Sequence, residues 1–268
     1  MNSNEEYLFY CKTREGYVFK VLFELLKNCV KSCNIKITKD GISITSIDTK
    51  KQLLLLITMN RHNFNSFRAA NVFNISVNLT SFYNMLKTIK KKDGICLYID
   101  TQSPNKLHII KDDVDQSERC ANKIQIMKTQ DIEYENPDDY KEPIIINAKK
   151  LQNTLKEIST TKGRITEISS NGSSIRFFCD NGSIMTADKT HGDIEIKNDE
   201  TYRETFDSAL LVKLQKILGL TQNVKLYTED SLPIKYELNI GSLGIIVIFI
   251  KSREIIEQEA TEEAQGSA

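Results

Sequence analysis

Two stretches of the sequence, one in each half, share a layout in which a lysine-bearing amphipathic helix is followed at once by a strand. The first stretch predicts a helix over 78–92 and a strand over 95–99. The second predicts a helix over 207–220 and a strand over 224–227. Apolar residues three or four apart share one face of each helix, at about 100° per residue, and lysines occupy the opposite face. The repeat indicates two similar half-chains, each with a cationic helix face.

Two further predicted helices follow the same pattern. One spans 16–30, and a shorter one follows Asn147, a residue type that commonly caps a helix N-terminus. A charged outer face is usual for any surface helix, but its recurrence in matched positions of two halves favours a shared role. The lysines that these two helices direct outward are Lys20, Lys27, Lys149 and Lys156.

Length and composition favour a globular protein of two domains. The chain has 268 residues, of which 40% are hydrophobic and 27% charged. Its apolar stretch over 243–250 is too short to span a bilayer, and the N-terminus lacks the pattern of a signal peptide. We therefore expect no membrane segment and an intracellular protein. The six cysteines form no disulfide framework, so we expect them to be reduced.

The net charge of zero hides an uneven distribution. The last 15 residues carry five glutamates and neither Lys nor Arg, so residues 1–253 hold 36 basic and 31 acidic residues, a net charge of +5. We expect the acidic tail, residues 256–268, to be disordered. A mildly basic body with concentrated lysines suits a polyanion that is bound by electrostatics rather than by base reading.

Most remaining segments are predicted to be short strands, often preceded by Asp-Gly or Asn-Gly turns. Few helices and no regular strand–helix alternation indicate an α+β fold. Residues 129–143 interrupt this pattern with two prolines and six acidic residues, and are predicted to be a surface linker. The predicted strands not yet named are 34–38, 42–47, 53–59, 75–77, 107–110, 144–146, 165–168, 175–179, 234–240 and 245–250.

Several short motifs follow one another along the chain, from the N-terminal half to the C-terminal half. They are Gly41-Ile42-Ser43-Ile44-Thr45-Ser46-Ile47-Asp48, Val77-Asn78-Leu79-Thr80-Ser81 at the start of a lysine-rich helix, the acidic linker with Pro and Tyr, and Leu232-Pro233-Ile234-Lys235-Tyr236-Glu237-Leu238. Together they resemble the proliferating cell nuclear antigen (PCNA) family of DNA sliding clamps, over about residues 9–255.

The resemblance implies two tandem clamp domains, each a pair of βαβββ units, in a subunit that forms a ring. The N-terminal clamp domain would be 1–128, the connecting loop 129–143, the C-terminal clamp domain 144–255 and the tail 256–268. Three subunits would close head to tail, and twelve helices would face a threaded duplex. Helices that cross the phosphate backbone contact no base edges, so binding would be sequence-independent.

The resemblance also implies which lysines contact DNA. It places Lys20, Lys27, Lys87, Lys156 and Lys216 at the channel, and helix geometry adds Lys90, Lys91, Lys149 and Lys213. Asn84 and Asn153 depart from the family pattern, which shifts the expected charge toward neighbouring lysines.

Two protein interfaces follow from the same resemblance. A partner peptide with one aliphatic and two aromatic anchors would bind a pocket of Ile47, Leu54, Ile132, Pro137, Tyr140, Pro233, Phe249 and Ile250. Ordinary core packing is the alternative role for these residues, most of all for Leu54 and Ile250. Subunits would pair edge strands, about 124–127 in one and 184–187 in the next, with Ile124, Ile126, Ile184 and Thr186 at the interface.

Nothing in the sequence supports catalysis, a cofactor or a resident metal. Phosphate-binding Gly-rich loops, Cys-x-x-Cys pairs and Gly-x-Ser-x-Gly are absent, and the three histidines are far apart. Asp112, Asp113 and Asp115 are a possible divalent-metal cluster of a nuclease, although a solvated loop is the favoured interpretation.

The sequence therefore predicts a homotrimeric sliding clamp that binds double-stranded DNA and acts as a polymerase processivity factor, not an enzyme. Its expected partners are a DNA polymerase, a clamp loader and other proteins with clamp-binding peptides. A subunit of a heterotrimeric clamp, replicative or of the checkpoint type, is the first alternative, and a metal-dependent nuclease is the second. The nucleus, or a cytoplasmic viral factory for a viral protein, is the expected location.

Overall fold

The structure is a computed structural model that describes residues 7–112, 120–129, 132, 134–161, 163–180, 182, 184–188, 194–196 and 201–266. These residues form 18 strands and five α-helices. The chain divides into two compact units. The first consists of residues 1–47, 55–133 and 239–246, and the second of residues 48–54, 134–238 and 247–268.

The first unit contains two sheets and two helices. One sheet has the strand order β5-β1-β7-β8-β9, and the other strands follow the order β4-β3-β2-β6. The helices are α1 (Gly16–Cys29) and α2 (Leu79–Leu86). The strands are β1 (Tyr7–Thr13), β2 (Ser32–Thr38), β3 (Gly41–Ile47), β4 (Leu53–Asn60), β5 (Ser66–Ala69), β6 (Phe73–Asn78), β7 (Gly94–Asp100), β8 (Lys106–Asp112) and β9 (Cys120–Gln125).

Alternating burial along the strands builds the core of this unit. Phe9 and Cys11 on β1 are each 1% exposed, whereas Tyr10 between them is partly exposed. Helix α1 packs against α2 through the rings of Phe23 and Phe82, whose centroids are 4.2 Å apart. Apolar side chains from both sheets and both helices therefore meet in one interior.

The second unit has the same layout of two strand groups and a helix pair. The strand orders are β13-β12-β11-β15 and β14-β10-β16-β17-β18. The helices are α3 (Ala148–Thr161), α4 (Ser208–Val212) and α5 (Arg253–Gly266). The strands are β10 (Ile144–Asn147), β11 (Ile165–Asn171), β12 (Ser174–Cys179), β13 (Ile184–Asp188), β14 (Ile194–Glu195), β15 (Tyr202–Asp207), β16 (Asn223–Tyr227), β17 (Ile234–Ile240) and β18 (Gly244–Ile250).

The structure confirms the α+β prediction and two predicted helix starts. The Asn78 side chain accepts a hydrogen bond from the Ser81 amide at 2.9 Å. The Asn147 side chain accepts hydrogen bonds from the amides of Lys149 and Lys150, at 3.0 and 3.2 Å. Each asparagine thus supplies an acceptor to helix amides that lack a partner within the helix.

Helix α2 ends at Leu86, earlier than predicted, so Lys90 and Lys91 are not helical. The Asp93 carboxylate accepts a hydrogen bond from the Lys90 amide at 2.7 Å, and the Asp93 amide donates to the Lys90 carbonyl at 3.1 Å. These two bonds close a turn in place of another helical turn. The helix geometry used to place Lys90 and Lys91 was therefore wrong.

The second predicted helix is also shorter, because α4 is followed by 3₁₀ turns at Lys213–Gln215 and Ile217–Leu220. The Gln215 carbonyl accepts a hydrogen bond from the side-chain amide of Gln152 on α3, at 2.7 Å. The Gly219 amide donates to the Lys216 carbonyl at 3.1 Å, a 3₁₀ bond. Lys213 therefore lies in a 3₁₀ turn rather than in the predicted α-helix.

As far as the structure describes it, the tail expected to be disordered is helical, since α5 runs to Gly266. The hydroxyl of the buried Ser252 accepts a hydrogen bond from the Ile255 amide at 3.2 Å and so caps the helix. The Glu254 carboxylate holds the first turn of α5 against Thr205 of β15. The acidic composition, from which we expected disorder, gives no indication of this helix cap. Within the described residues, no helix has the length and apolar character needed to cross a membrane.

Candidate nucleic-acid and peptide interfaces

In the first unit, Lys20 and Lys27 lie on the partly exposed face of α1, opposite the buried Leu22 and Leu25. Lys87, directly after α2, is exposed, whereas Lys20 and Lys27 are partly exposed. The Lys20 ammonium donates a hydrogen bond to the Ile89 carbonyl at 3.0 Å. Lys20 therefore has a structural role at the end of α2 in addition to its charge.

Two tyrosines that sequence reasoning missed lie beside these lysines. The Lys27 ammonium is 4.6 Å from the centroid of the Tyr83 ring, which ties α1 to α2. The ammonium groups of Lys20 and Lys91 lie 5.9 and 6.0 Å from the centroid of the Tyr17 ring. Such cation–π contacts orient an ammonium group without neutralising it. The three-residue spacing of Tyr17 and Lys20 was a usable signal, whereas no local pattern links Lys27 to Tyr83.

The turn after α2 keeps cations near the helix end. Lys90 and Lys91 are exposed there, while Asp93 is 3% exposed and forms an ion pair with Lys111 at 3.0 Å. The Asp93 carboxylate is thus paired with Lys111 rather than with the exposed ammonium groups of Lys90 and Lys91.

In the second unit, α3 packs against α4 and the 3₁₀ turns. Leu151, Leu155 and Ile158 of α3 are buried. The lysines with exposed side chains on this side are Lys149, Lys156 and Lys216, and Lys213 is partly exposed. Asn153 is exposed among them. Each unit therefore has one helix pair with several accessible ammonium groups, an arrangement that can neutralise phosphates.

Tyr140 is the centre of the predicted peptide pocket. Its hydroxyl donates a hydrogen bond to the Pro233 carbonyl at 2.6 Å, and its ring centroid is 6.2 Å from that of Phe249. Burial raises the pKa of the Tyr140 hydroxyl well above its ordinary value, and nearby Glu229 raises it further, so the hydroxyl remains a donor. Tyr140, Pro233 and Phe249 are thus brought together as predicted.

Two residues of this cluster were missed by the sequence-based prediction. The Tyr227 ring meets that of Tyr140 edge-on at 5.8 Å. The Lys235 ammonium is 4.3 Å from the Tyr227 centroid and 5.0 Å from that of Tyr140. Alternation along β17, where Ile234 and Tyr236 are buried, could have indicated that Lys235 faces outward.

The remaining pocket predictions separate into three groups. Leu54, Phe249 and Ile250 are 8%, 4% and 0% exposed, so they belong to the buried core rather than lining an open surface. Pro137 is partly exposed. Ile47 and Ile132 are partly exposed residues of the other unit.

Both predicted interface strands are outermost in their sheets. β9 is the last strand of β5-β1-β7-β8-β9, and β13 is the first of β13-β12-β11-β15. β9 ends at Gln125, so Ile124, which is 6% exposed, lies on the strand and Ile126 lies beyond it. Met127 instead pairs with Ser76. The side chains of Ile184 and Thr186 are outside the described part of the structure.

The acidic cluster proposed for a metal is only partly described. Asp112 forms an ion pair with Lys12 at 2.6 Å, and Asp113 and Asp115 lie outside the described residues. In the described part of the chain, no group of three or more His, Cys, Asp or Glu side chains is arranged to hold a metal ion.

The chain is similar in sequence to proliferating cell nuclear antigens and to proteins named as DNA polymerase sliding clamps. Residues 8–135 match the model described as "Proliferating cell nuclear antigen, N-terminal domain". A "Probable DNA polymerase sliding clamp 1" of Paramecium bursaria Chlorella virus 1 is 21% identical, over 92% of this chain and 97% of its own length. Proliferating cell nuclear antigen of Chaetomium thermophilum is 21% identical, over 89% of this chain and 95% of its own length.

A solved structure extends the match to the fold. A chain of the PCNA2–PCNA3 complex from Sulfolobus tokodaii superposes with a TM-score of 0.82 at 17% identity, covering 91% of this chain and 99% of that one. Residues 8–135 thus match the N-terminal domain of proliferating cell nuclear antigen, and nearly the whole chain has the fold of that solved structure.

Proposed function

We propose that this chain is a subunit of a DNA sliding clamp, which encircles double-stranded DNA without sequence specificity and tethers a DNA polymerase as a processivity factor. The observation that carries the proposal is the recurrence, in each unit, of a packed helix pair that carries accessible lysines on or directly beside its helices. One such face is ordinary, but a matched pair in a chain with the PCNA fold supports a common ligand.

The chemistry of these faces suits phosphate rather than bases. An ammonium group on a flexible stem is a point charge that can move from one phosphate to the next, and helices that cross the backbone leave the base edges untouched. Retention on DNA would then come from ring closure more than from affinity. In this role the chain binds and positions other proteins, and it catalyses no reaction itself.

The cluster around Tyr140 supports the tethering half of the proposal. An aromatic ring that is held to Pro233 by a hydrogen bond and flanked by Tyr227 is a suitable wall for the aliphatic and aromatic anchors of a short peptide. A polymerase, a clamp loader and other replication proteins with such peptides are the proposed partners. DNA replication sites, nuclear or viral, are the proposed location.

A closed homotrimer is the proposed assembly, since pairing of β9 of one subunit with β13 of the next would satisfy both outer edges. A ring of different subunits is the alternative. Light scattering of the purified chain at micromolar concentration distinguishes a trimer from a monomer. If the chain is entirely monomeric, the ring of different subunits is favoured.

Threading on DNA tests the proposal without a clamp loader. The purified chain would be mixed with a linear duplex whose biotinylated ends are either open or blocked beforehand with streptavidin. A ring can slide over open ends only, so we expect binding to the open duplex, weak binding to the blocked one, and resistance to a salt wash when the ends are blocked after binding.

Equal binding to the open and blocked duplexes would contradict the sliding-clamp proposal. The same duplex incubated with magnesium serves as the nuclease test, and we expect it to stay intact.

A further inference from the structure

The outer face of the sheet β5-β1-β7-β8-β9 carries one continuous row of residues, one from each strand. The strand register pairs Arg68 with Tyr10, Tyr10 with Tyr98, Tyr98 with His108, and His108 with Lys123. The row therefore runs from a cation through three aromatic rings to a second cation. Neighbouring strands are about 4.8 Å apart, so its length is roughly 19 Å.

These side chains share the face that points away from the core. Residues of the opposite parity, such as Phe9, Leu97 and Ile109, are 1%, 4% and 2% exposed. Tyr10, Tyr98 and His108 are partly exposed, and Arg68 and Lys123 are exposed. The register shift between Tyr7 and Phe9 brings Tyr7 to the same face, where its ring lies 5.1 Å from that of Tyr98.

The stacked rings of Tyr98 and His108 lie at the Lys123 end of the row, where 16% of the His108 side chain is exposed. Tyr98 and His108 are stacked, with centroids 4.5 Å apart and an interplanar angle of 14°. Tyr7 meets Tyr98 edge-on at 74°. Because Tyr98 covers one face of the imidazole, the other face is turned along the row towards Lys123. A further flat ring placed there would continue the stack and lie beside an ammonium group.

Among the residues that the structure describes, Asp112 and Asp100 are carboxylates of this face, and both are engaged. Asp112 is paired with Lys12 at 2.6 Å. The Asp100 carboxylate accepts a hydrogen bond from the Ser103 hydroxyl at 2.8 Å. It also lies 3.3 Å from Nε2 of His108, and this contact holds the imidazole in place. Arg68, Lys106 and Lys123 add positive charge to the face, which therefore favours an anionic ligand.

We propose that this row is a binding site for single-stranded DNA, with a base stacked on His108 and backbone phosphates near Lys123 and Arg68. Stacking on His and Tyr rings beside cations is how proteins bind unpaired bases, and open sheet faces with aromatic residues commonly hold two or three of them. The choice of DNA over RNA rests on the proposed function. The site is separate from the lysine faces of the helices.

The test measures whether binding needs bases. Fluorescence anisotropy would compare a labelled dT12 oligonucleotide with an abasic 12-mer that has the same phosphates, at about 50 mM salt. We expect the wild-type chain to bind dT12 about 10-fold more tightly, the order of one stacked base. His108→Leu should remove this preference, whereas His108→Phe, which keeps a flat ring without the imidazole nitrogens, should retain it.

Thermal melting of each variant checks folding, and Tyr98→Leu provides a second variant that shortens the stack without exposing a cavity. Equal affinity for dT12 and the abasic strand, or a preference unchanged in His108→Leu, would overturn the proposal. No binding to either strand would also overturn it and leave the row to a protein partner. Threading of the duplex is measured separately, so failure here does not imply failure of the sliding-clamp proposal.

Discussion

The Lys20 ammonium on α1 donates a hydrogen bond to the carbonyl of Ile89, 3.0 Å away, just beyond the end of α2. A residue proposed to contact DNA therefore also satisfies a backbone carbonyl of the turn that follows α2. Lysines of the same helix face are thus not equivalent, and mutations must separate charge from structure.

Lys20→Met keeps the aliphatic stem and removes the donor. We expect it to lower the free energy of unfolding by about 1 kcal/mol, as for a partly exposed hydrogen bond from a charged group. Lys87→Met, at an exposed position beside α2, is the matched control and should stay within about 0.5 kcal/mol of wild type. Denaturant titration measures both, and equal stabilities would show that the Lys20 bond is not structural.

Local signals predicted the starts of elements better than their ends. Asn78 and Asn147 could be identified as caps because an asparagine before an apolar-periodic run acts within three residues. The turn after α2 is closed by Asp93, and the 3₁₀ segment after α4 is held by the side-chain amide of Gln152, which is distant in sequence. The apolar periodicity of the sequence continues through such positions. It cannot show where a residue from another segment forms a hydrogen bond with the backbone and interrupts the helix.

The pocket shows the same limit. Tyr140, Pro233 and Phe249 followed from motif order, but Tyr227 and Lys235 join them through pairing of β16 with β17, which no local pattern encodes. The helix α5 was missed for a related reason. Its composition indicates disorder, and its contact with Thr205 lies 49 positions away.

Charge on the helices is expected to control DNA binding but not folding. The variant Lys87→Ala/Lys156→Ala/Lys216→Ala changes exposed side chains only, so each site should alter stability by about 0.5 kcal/mol or less. Binding to open-ended duplex should weaken and its salt dependence should flatten, by up to about 0.9 in the log–log slope for each phosphate that the variant no longer neutralises.

The matched control replaces three exposed lysines outside the helices, Lys36, Lys39 and Lys128. If both triple variants show the same drop in affinity, net charge rather than the helix faces governs binding.

Tyr140→Ala is expected to weaken binding of a peptide with one aliphatic and two aromatic anchors by about 1–2 kcal/mol, because the variant removes a pocket wall. Tyr140→Phe removes only the hydrogen bond to Pro233 and should have a smaller effect. Phe249 is unsuitable for this test, since truncating a side chain that is 4% exposed would destabilise the unit.

Tyr134→Ala is the control, because Tyr134 lies in the same linker and is 42% exposed. Calorimetry measures all three variants. Unchanged affinity in a folded Tyr140→Ala variant would remove Tyr140 from the peptide site.

The attachment of α5 should depend on pH through Glu254. The Glu254 carboxylate accepts hydrogen bonds from the Thr205 amide, at 3.1 Å, and from the Thr205 hydroxyl, at 2.7 Å. Partial burial by itself raises the pKa of Glu254, but the hydrogen bonds from Thr205 and from the Glu254 amide, together with the charge of Arg253, outweigh it and leave the pKa below its ordinary value. Because the pKa is lowered in the folded state, the carboxylate stabilises this contact at any pH above the ordinary carboxyl pKa. This contribution disappears as the pH falls through the folded-state pKa.

Hydrogen exchange should therefore show a protected Thr205 amide at pH 7, less protection in Glu254→Gln, and a difference between the two proteins that shrinks in acid. Glu257→Gln, on the same helix, should match wild type. Equal Thr205 protection in wild type and Glu254→Gln at pH 7 would mean that this carboxylate does not hold α5 on β15.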